Sequence, residues 1–361
     1  MMLGRAFNAY QAAWSWLAFL GGRRFQWVMF FPAWFGDMFY SLFSRLALLT
    51  PSPKKRIAQM IAASRNHAEK TGLPNEKKLA IVTGANSGIG LEAAEALGRA
   101  GFMTILACRN PELGQAAVAE LVEKTGIKDR YEFKQLNLAS LDSIDKFVAD
   151  INAREGTLDI LLNNAGVMAS PYGNTKDGLE SQFGVNHVGP FVLTTGLLTK
   201  LKANPNGARI INLSSIAAWM QKTIDYAKFE SEKKYYHWHN YGLSKLCSVL
   251  FTTALVRQLE GTKVTVNVVH PGTVSTSLMR ESTSNLRKLW HLLQKTAIYE
   301  TIKAGALTSI YLALSPDVEG VSGKFYARCS ERRMHPTANV IAQQDALWEY
   351  TEKAIAEARS T

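Results

Sequence analysis

Two hydrophobic rhythms divide the chain near residue 78. Downstream of that point, short apolar, β-branched runs alternate with helical patterns. Lys78–Thr83 is a compact apolar run closed by glycine, and apolar positions at Leu91, Ala94, Leu97 and Ala100 then recur at helical spacing. Further strands are expected at Met103–Ala107, Tyr131–Leu136, Leu158–Leu162, Ala208–Asn212, Val264–Val269 and Gly323–Tyr326. Helical patterns separate them: from Ser140, around Asp177–Leu201, across Tyr299–Leu314 and near Ala342–Ala358. Strands joined through helices cross over right-handedly, so the pattern predicts an α/β fold with a doubly wound parallel sheet of about seven strands.

Upstream the pattern is different. Residues 1–50 hold four of the chain's eight tryptophans (Trp14, Trp16, Trp27, Trp34) among many phenylalanines. Two apolar stretches, about Ala6–Gly22 and Phe25–Leu49, flank Arg23-Arg24, but Asn8, Gln11, Pro32, Asp37 and Arg45 interrupt them. Aromatic density of this kind suits the boundary between lipid headgroups and acyl chains. Attachment to a membrane surface is the expectation for this segment, with a true span and docking on another protein as the alternatives. No small-residue cleavage site follows the first stretch and more apolar sequence comes next, so a cleaved signal peptide is not expected. Residues 51–76 read as a polar helix, Lys54–Lys70, ending in Thr71-Gly72-Leu73-Pro74.

Charge follows the same division. The net charge is +11, of which residues 1–78 carry +8 and residues 79–361 only +3. The basic excess lies among wholly apolar blocks, a pattern that fits anionic lipid and not nucleic acid. Three scattered cysteines, Cys108, Cys247 and Cys329, make neither a disulfide framework nor a zinc site, and a reducing compartment is expected. His237 and His239 form an HxH without nearby acids or cysteines and are read as a solvated loop; no metal is expected.

Between the first strand and helix stands Gly84-Ala85-Asn86-Ser87-Gly88-Ile89-Gly90. Glycines there allow a tight turn and close approach of a pyrophosphate, which the helix N-terminus would receive, so a dinucleotide is expected in a Rossmann-type fold. The second strand ends in Cys108-Arg109-Asn110, where NAD enzymes usually carry an acid for the ribose 2′-OH. Arg109 could instead pair with a 2′-phosphate, which makes NADP(H) the expected cofactor; a solvated surface arginine is the alternative.

Tyr241 and Lys245 sit at i and i+4 of a predicted helix and share a face. An ammonium about 5 Å from a phenol, at an effective dielectric of ~20, would favour the phenolate by roughly 3 kcal/mol, or about two pKa units. Together with Asn163-Asn164-Ala165-Gly166, Asn186, Ser215 and Pro271-Gly272, these motifs resemble the short-chain dehydrogenase/reductase superfamily, in its order. Ala107–Asn110 and Val185–Phe191 resemble the retinol dehydrogenase-like branch. The resemblance covers about residues 77–330, leaving residues 331–361 as a C-terminal helical extension.

The resemblance implies that Tyr241 is the general acid/base, that Ser215 hydrogen-bonds the substrate oxygen while Ser214 is structural, and that Asn186 supports a water-mediated proton path. Lys245 would also hold the nicotinamide ribose. Asn164, Ala165 and Gly166 would line the cofactor side. Pro271, Gly272, Thr273 and Thr276 would approach the nicotinamide or phosphates, and Ser277–Trp290 would form a mobile substrate lid. Two features depart from the pattern. Asn137 stands where the family usually has an aspartate contacting adenine, and a long aromatic insertion (Trp219, Tyr226, Phe229, Trp238) is expected to help form the substrate mouth. The reading implied is an NADP(H)-dependent oxidoreductase on an apolar, lipid-like alcohol or carbonyl (retinoid, steroid or polyprenoid). It would sit at an endoplasmic reticulum or lipid-droplet surface, as a homodimer or within a larger membrane complex. The competing class is a structural or assembly subunit of a membrane complex that keeps a bound nucleotide.

Overall fold

A computed structural model describes residues 51–75, 78–274 and 301–360. The strands are β1 (Leu79–Thr83), β2 (Met103–Cys108), β3 (Tyr131–Gln135), β4 (Ile160–Asn163), β5 (Ala208–Leu213), β6 (Val264–His270), β7 (Phe325–Ala327) and β8 (Ser330–Arg332). They form one sheet in the order β3-β2-β1-β4-β5-β6-β7-β8. Seven are parallel, as the alternating pattern requires; β8 pairs antiparallel with β7. This eighth strand is the departure from the expected count. It follows a tight turn in which Arg328 and Cys329 both have left-handed φ, 57° and 58°. Turns of that hand normally carry Gly or Asn, so these residue types hid the hairpin.

The main helices are α1 (Pro53–Thr71), α2 (Gly88–Ala100), α3 (Pro111–Thr125), α4 (Leu141–Ala153), α5 (Gly189–Lys202), α6 (His237–Gln258), α7 (Ile302–Leu314) and α8 (Ile341–Ser360). Because a strand points successive side chains to opposite faces, the sheet builds two cores. Ile81, Ile105, Leu161, Ile210 and Val266 face α4, α5, α6 and α8. Ala80, Val82, Leu106, Leu162 and Ile211 face α2, α3 and α7, with Ile57, Met60 and Ile61 of α1 packed at the margin. Both faces are covered, which is why the strands read as continuous apolar runs. Arg209 on β5 anchors one helix end: its Nη1 donates to the carbonyls of Leu312, Ala313 and Ser315 at the C-terminus of α7 (2.8–3.2 Å).

The chain order reverses between β1 and β4. In such sheets the loops beyond the strands' C-terminal ends part there and leave a crevice, where ligands bind.

Candidate active site

At that crevice the turn after β1 opens the site. Gly84 adopts φ 64°, and a Cβ on Gly90 would fall 2.5 Å from both the Gly84 carbonyl oxygen and Asn164 Nδ2. Only glycine at position 90 lets α2 start this close to the strand. Side chains cap the starts of α3, α4 and α7, through Asn110, Ser140 and Thr301. Ser87, the N-cap of α2, makes no such bond, which leaves the first-turn N–H groups of α2 for another acceptor.

One cleft runs from this turn to the middle of the sheet. Gly84, Asn86, Ser87, Gly88 and Ile89 line its first wall; Arg109 and Asn137 stand at the ends of β2 and β3; Asn164, Ala165 and Gly166 follow β4; Tyr241, Lys245 and Pro271 close it. Gly90 lies behind the turn. Gly272 has φ 87° and follows β6 with Thr273, whereas Thr276 and Ser277–Trp290 lie outside the described residues. Asn137 Oδ1 accepts from Ala139 N (3.1 Å), so one lone pair of its acceptor holds the local turn.

The Asn163–Gly166 segment ties the sheet centre together. Asn164 Nδ2 donates to the Thr83 carbonyl (2.8 Å), and the Asn164 and Ala165 N–H groups both donate to Thr83 Oγ1 (2.9 Å each). Asn186 sits in a π turn, Gly184–Val188, that interrupts the predicted helix. Its cause is in the sequence: Pro190 has no N–H to give the Asn186 carbonyl and cannot continue a regular turn there. Asn186 Oδ1 accepts from Val167 N (2.8 Å), while Nδ2 donates to the Val167 carbonyl and Ser244 Oγ (2.9 Å each). Ser244 Oγ in turn donates to the Tyr241 carbonyl (2.8 Å).

Ser215 follows β5, where its Oγ accepts from Ala217 N (3.2 Å), and it lies close enough to the Tyr241 phenol to lower that phenol's pKa. Ser214 Oγ donates to the Lys245 carbonyl (2.7 Å), a structural bond that leaves Ser215 as the serine beside the phenol. Lys245 Nζ stands 5.8 Å from the Tyr241 ring centre and donates to the Leu213 carbonyl (3.2 Å). Burial dominates the electrostatics of this pair. It pushes the Tyr241 phenol up to about 12, partly offset by Ser215, and draws Lys245 down to about 8. This corrects the sequence argument, which expected the ammonium to lower the phenol. Both groups are enclosed, and loss of water disfavours the charged form of each.

The match to known proteins follows this geometry. Residues 78–287 fit the family model described as short chain dehydrogenase. The chain belongs to the short-chain dehydrogenase family. Retinol dehydrogenase 14 of Mus musculus is 41% identical over 286 residues, covering 76% of this chain and 85% of the mouse protein. Retinol dehydrogenase 12 of Homo sapiens is 38% identical over 308 residues, covering 85% and 93%. A chloroplastic short-chain dehydrogenase TIC 32 B of Brassica napus is 38% identical over 76% of this chain and 88% of its own length. Within the family the chain is therefore retinol dehydrogenase-like. Among solved structures, an uncharacterised protein from Mycobacterium Paratuberculosis superposes with a TM-score of 0.61 at 30% identity, covering 77% of this chain and 93% of that one.

Ser244 of this dehydrogenase's site escaped the sequence reading, and Thr83, at the head of the glycine motif, was given no role of its own. Thr83 is the polar end of an otherwise apolar buried strand, a signal that could have marked it. Ser244 carries none, because a serine beside a lysine on a helix is ordinary. The insertion after Ser215 makes aromatic contacts within the fold. Phe229 stacks on Phe183 (4.3 Å between ring centres), Tyr226 meets Tyr350 of α8 (4.3 Å) and Trp219 meets His335 (5.0 Å). Those three rings serve packing, and none lines the cleft.

Proposed function

We propose that this short-chain dehydrogenase interconverts an apolar, retinoid-like alcohol and its aldehyde or ketone, with NADP(H) as cofactor. The observation that carries the reading is Tyr241, beside Ser215 and flanked by Lys245, at the inner end of a cleft that begins at the glycine turn. Steroid and polyprenoid alcohols belong to the same lipid-like class. The names of the retinol dehydrogenase relatives favour the retinoid.

The residues present fit a dinucleotide. The uncapped N-terminus of α2 suits a pyrophosphate, and Gly84 and Gly90 let the turn and the start of α2 pack closely against Asn164 and Ala165. Arg109 would pair with a 2′-phosphate and Asn137 would face adenine, while Asn164, Ala165, Gly166, Pro271 and Gly272 would border the nicotinamide half. When bound, the cofactor supplies or accepts the hydride. Ser215 would hold the substrate oxygen by a hydrogen bond. Tyr241, neutral in its buried setting, is then a proton donor to that oxygen in reduction; in oxidation it takes the proton back. The Lys245 ammonium offsets the negative charge that the phenol acquires on giving up its proton, and Asn186 holds the Val167 backbone behind both. The aromatic segment 1–50 lies outside the described residues, and among those described no helix is long and apolar enough to cross a membrane. Its assignment to a membrane surface rests on sequence alone.

The test is NADPH oxidation by the purified protein with retinaldehyde and other apolar carbonyls. Tyr241→Phe is expected to lower turnover by roughly 10²–10⁴. Unchanged turnover in that variant would remove the assignment of Tyr241, and nucleotide binding with no turnover on any carbonyl would favour a structural subunit.

A further inference from the structure

Beside Asn186 lies a second, small cavity of about 10 Å³, bordered by Asn163, Asn186, His187, Asn212 and Ser248. Two side chains of its wall each contain a buried polar atom with no partner among the described residues: Asn163 Oδ1 and His187 Nδ1. Both residues are almost wholly enclosed, at 4% and 1% exposure. Buried polar atoms are nearly always satisfied, so two orphans around one small space call for an explanation.

The surrounding hydrogen bonds fix both atoms as acceptors. Thr252 Oγ1 donates its only proton to the Ser248 carbonyl (2.8 Å), so it accepts from Asn212 Nδ2 (3.0 Å). Asn212 Oδ1 is then left to accept from Asn163 Nδ2 (2.8 Å), which also donates to Thr194 Oγ1 (2.9 Å). The Asn163 amide is thereby oriented, with its oxygen as the atom left over. At the Nε2 side of the His187 ring, Thr351 Oγ1 donates to the Leu347 carbonyl (2.7 Å). The bond of 2.9 Å between that hydroxyl and His187 Nε2 must therefore come from the ring, which places the imidazole proton on Nε2 and leaves Nδ1 an acceptor. Two acceptors cannot satisfy each other.

We propose that a single water molecule occupies this cavity, donating one hydrogen to Asn163 Oδ1 and the other to His187 Nδ1, and that His187 thereby acts as a positioning residue for Asn186. Water is the smallest donor of two protons, and the cavity is about the size of one water probe. Ser248 offers a third bond, since its hydroxyl lies a long 3.3 Å and 3.5 Å from its carbonyl acceptors. The water joins the residue before Asn164, on the cofactor cleft, to the residue after Asn186, in the π turn. Through Thr351 the same imidazole is tied to α8.

Diffraction from crystals of the full chain, at a resolution that shows ordered water, should reveal one oxygen within bonding distance of both acceptors. The ¹⁵N spectrum should show a neutral His187 protonated at Nε2 with a hydrogen-bonded Nδ1. An empty cavity, or a proton on Nδ1, overturns the proposal. His187→Phe keeps a ring among Phe183, Phe191 and Phe251 but removes the acceptor. That variant should lose the water and show about tenfold lower kcat at unchanged KM, the equivalent of one hydrogen bond; wild-type kcat would overturn the positioning role. The kinetic arm rests on the proposed oxidoreductase function, whereas diffraction and ¹⁵N spectra do not, so the two can fail separately.

Discussion

Burial acts on Tyr241 and Lys245 in the same way, favouring the neutral form of each, yet proton transfer needs the lysine charged. Lys245 is drawn from 10.5 to about 8, so it loses its proton as pH rises through about 8, while Tyr241, pushed up to about 12, keeps its own. Carbonyl reduction should therefore fall in kcat/KM above about pH 8 with the slope of one proton. Stability should not follow it. Between about 8 and 10.5 the unfolded chain binds more protons at Lys245 than the folded one, so this group's contribution to stability rises with pH across that window. The raised Tyr241 works against stability only above its ordinary value of 10. A pH profile of kcat/KM recorded beside the melting temperature separates the effects, and a flat rate profile from pH 7 to 10 would refute the role given to the ammonium. Sequence revealed that the two side chains share a helix face. It could not reveal how dry that face is, because burial depends on Leu213, Met168 and Met220 brought from elsewhere in the chain.

Elements show the same division between local and distant causes. Strands β1, β2, β4, β5 and β6 were legible because each is a continuous apolar run, and the glycine turn because few residues but glycine fit there. The π turn was written in Pro190 but read as ordinary helix, since apolar periodicity does not register one missing N–H. Helix α8 was legible as a helix but not in its function within the fold. It packs Trp348 against Phe191 (4.6 Å), sets Tyr350 on Tyr226 and holds His187 through Thr351. Leu347, 2% exposed, seats it in the core beneath the π turn. Leu347→Ala should cost about 2–5 kcal/mol in urea unfolding, as buried leucines do. A loss within about 0.5 kcal/mol, the range of surface substitutions, would show that α8 is an appendage.

For the molecule as a whole, the sheet reversal between β1 and β4 decides where a ligand can bind, and in the proposed function the side chain after β2 decides which one. Across residues 79–361 the net charge is only +3, so general attraction for phosphate is weak and selectivity falls to particular contacts. Arg109 borders the cleft where a 2′-phosphate would lie, and among the described residues no carboxylate lines that cleft to favour a free ribose hydroxyl. A ligand that binds only the folded state raises stability by RT ln(1 + [L]/Kd), about 2.7 kcal/mol at a hundredfold excess over Kd. NADPH should therefore raise the melting temperature more than NADH at equal concentration. Arg109→Ala should close most of that gap by weakening NADPH roughly tenfold to a hundredfold, the worth of a hydrogen bond to a charged group, while leaving NADH nearly unchanged. If the variant instead weakened both nucleotides equally, Arg109 would be acting on the shared pyrophosphate or on the fold, and the preference for NADP(H) would have to come from another residue.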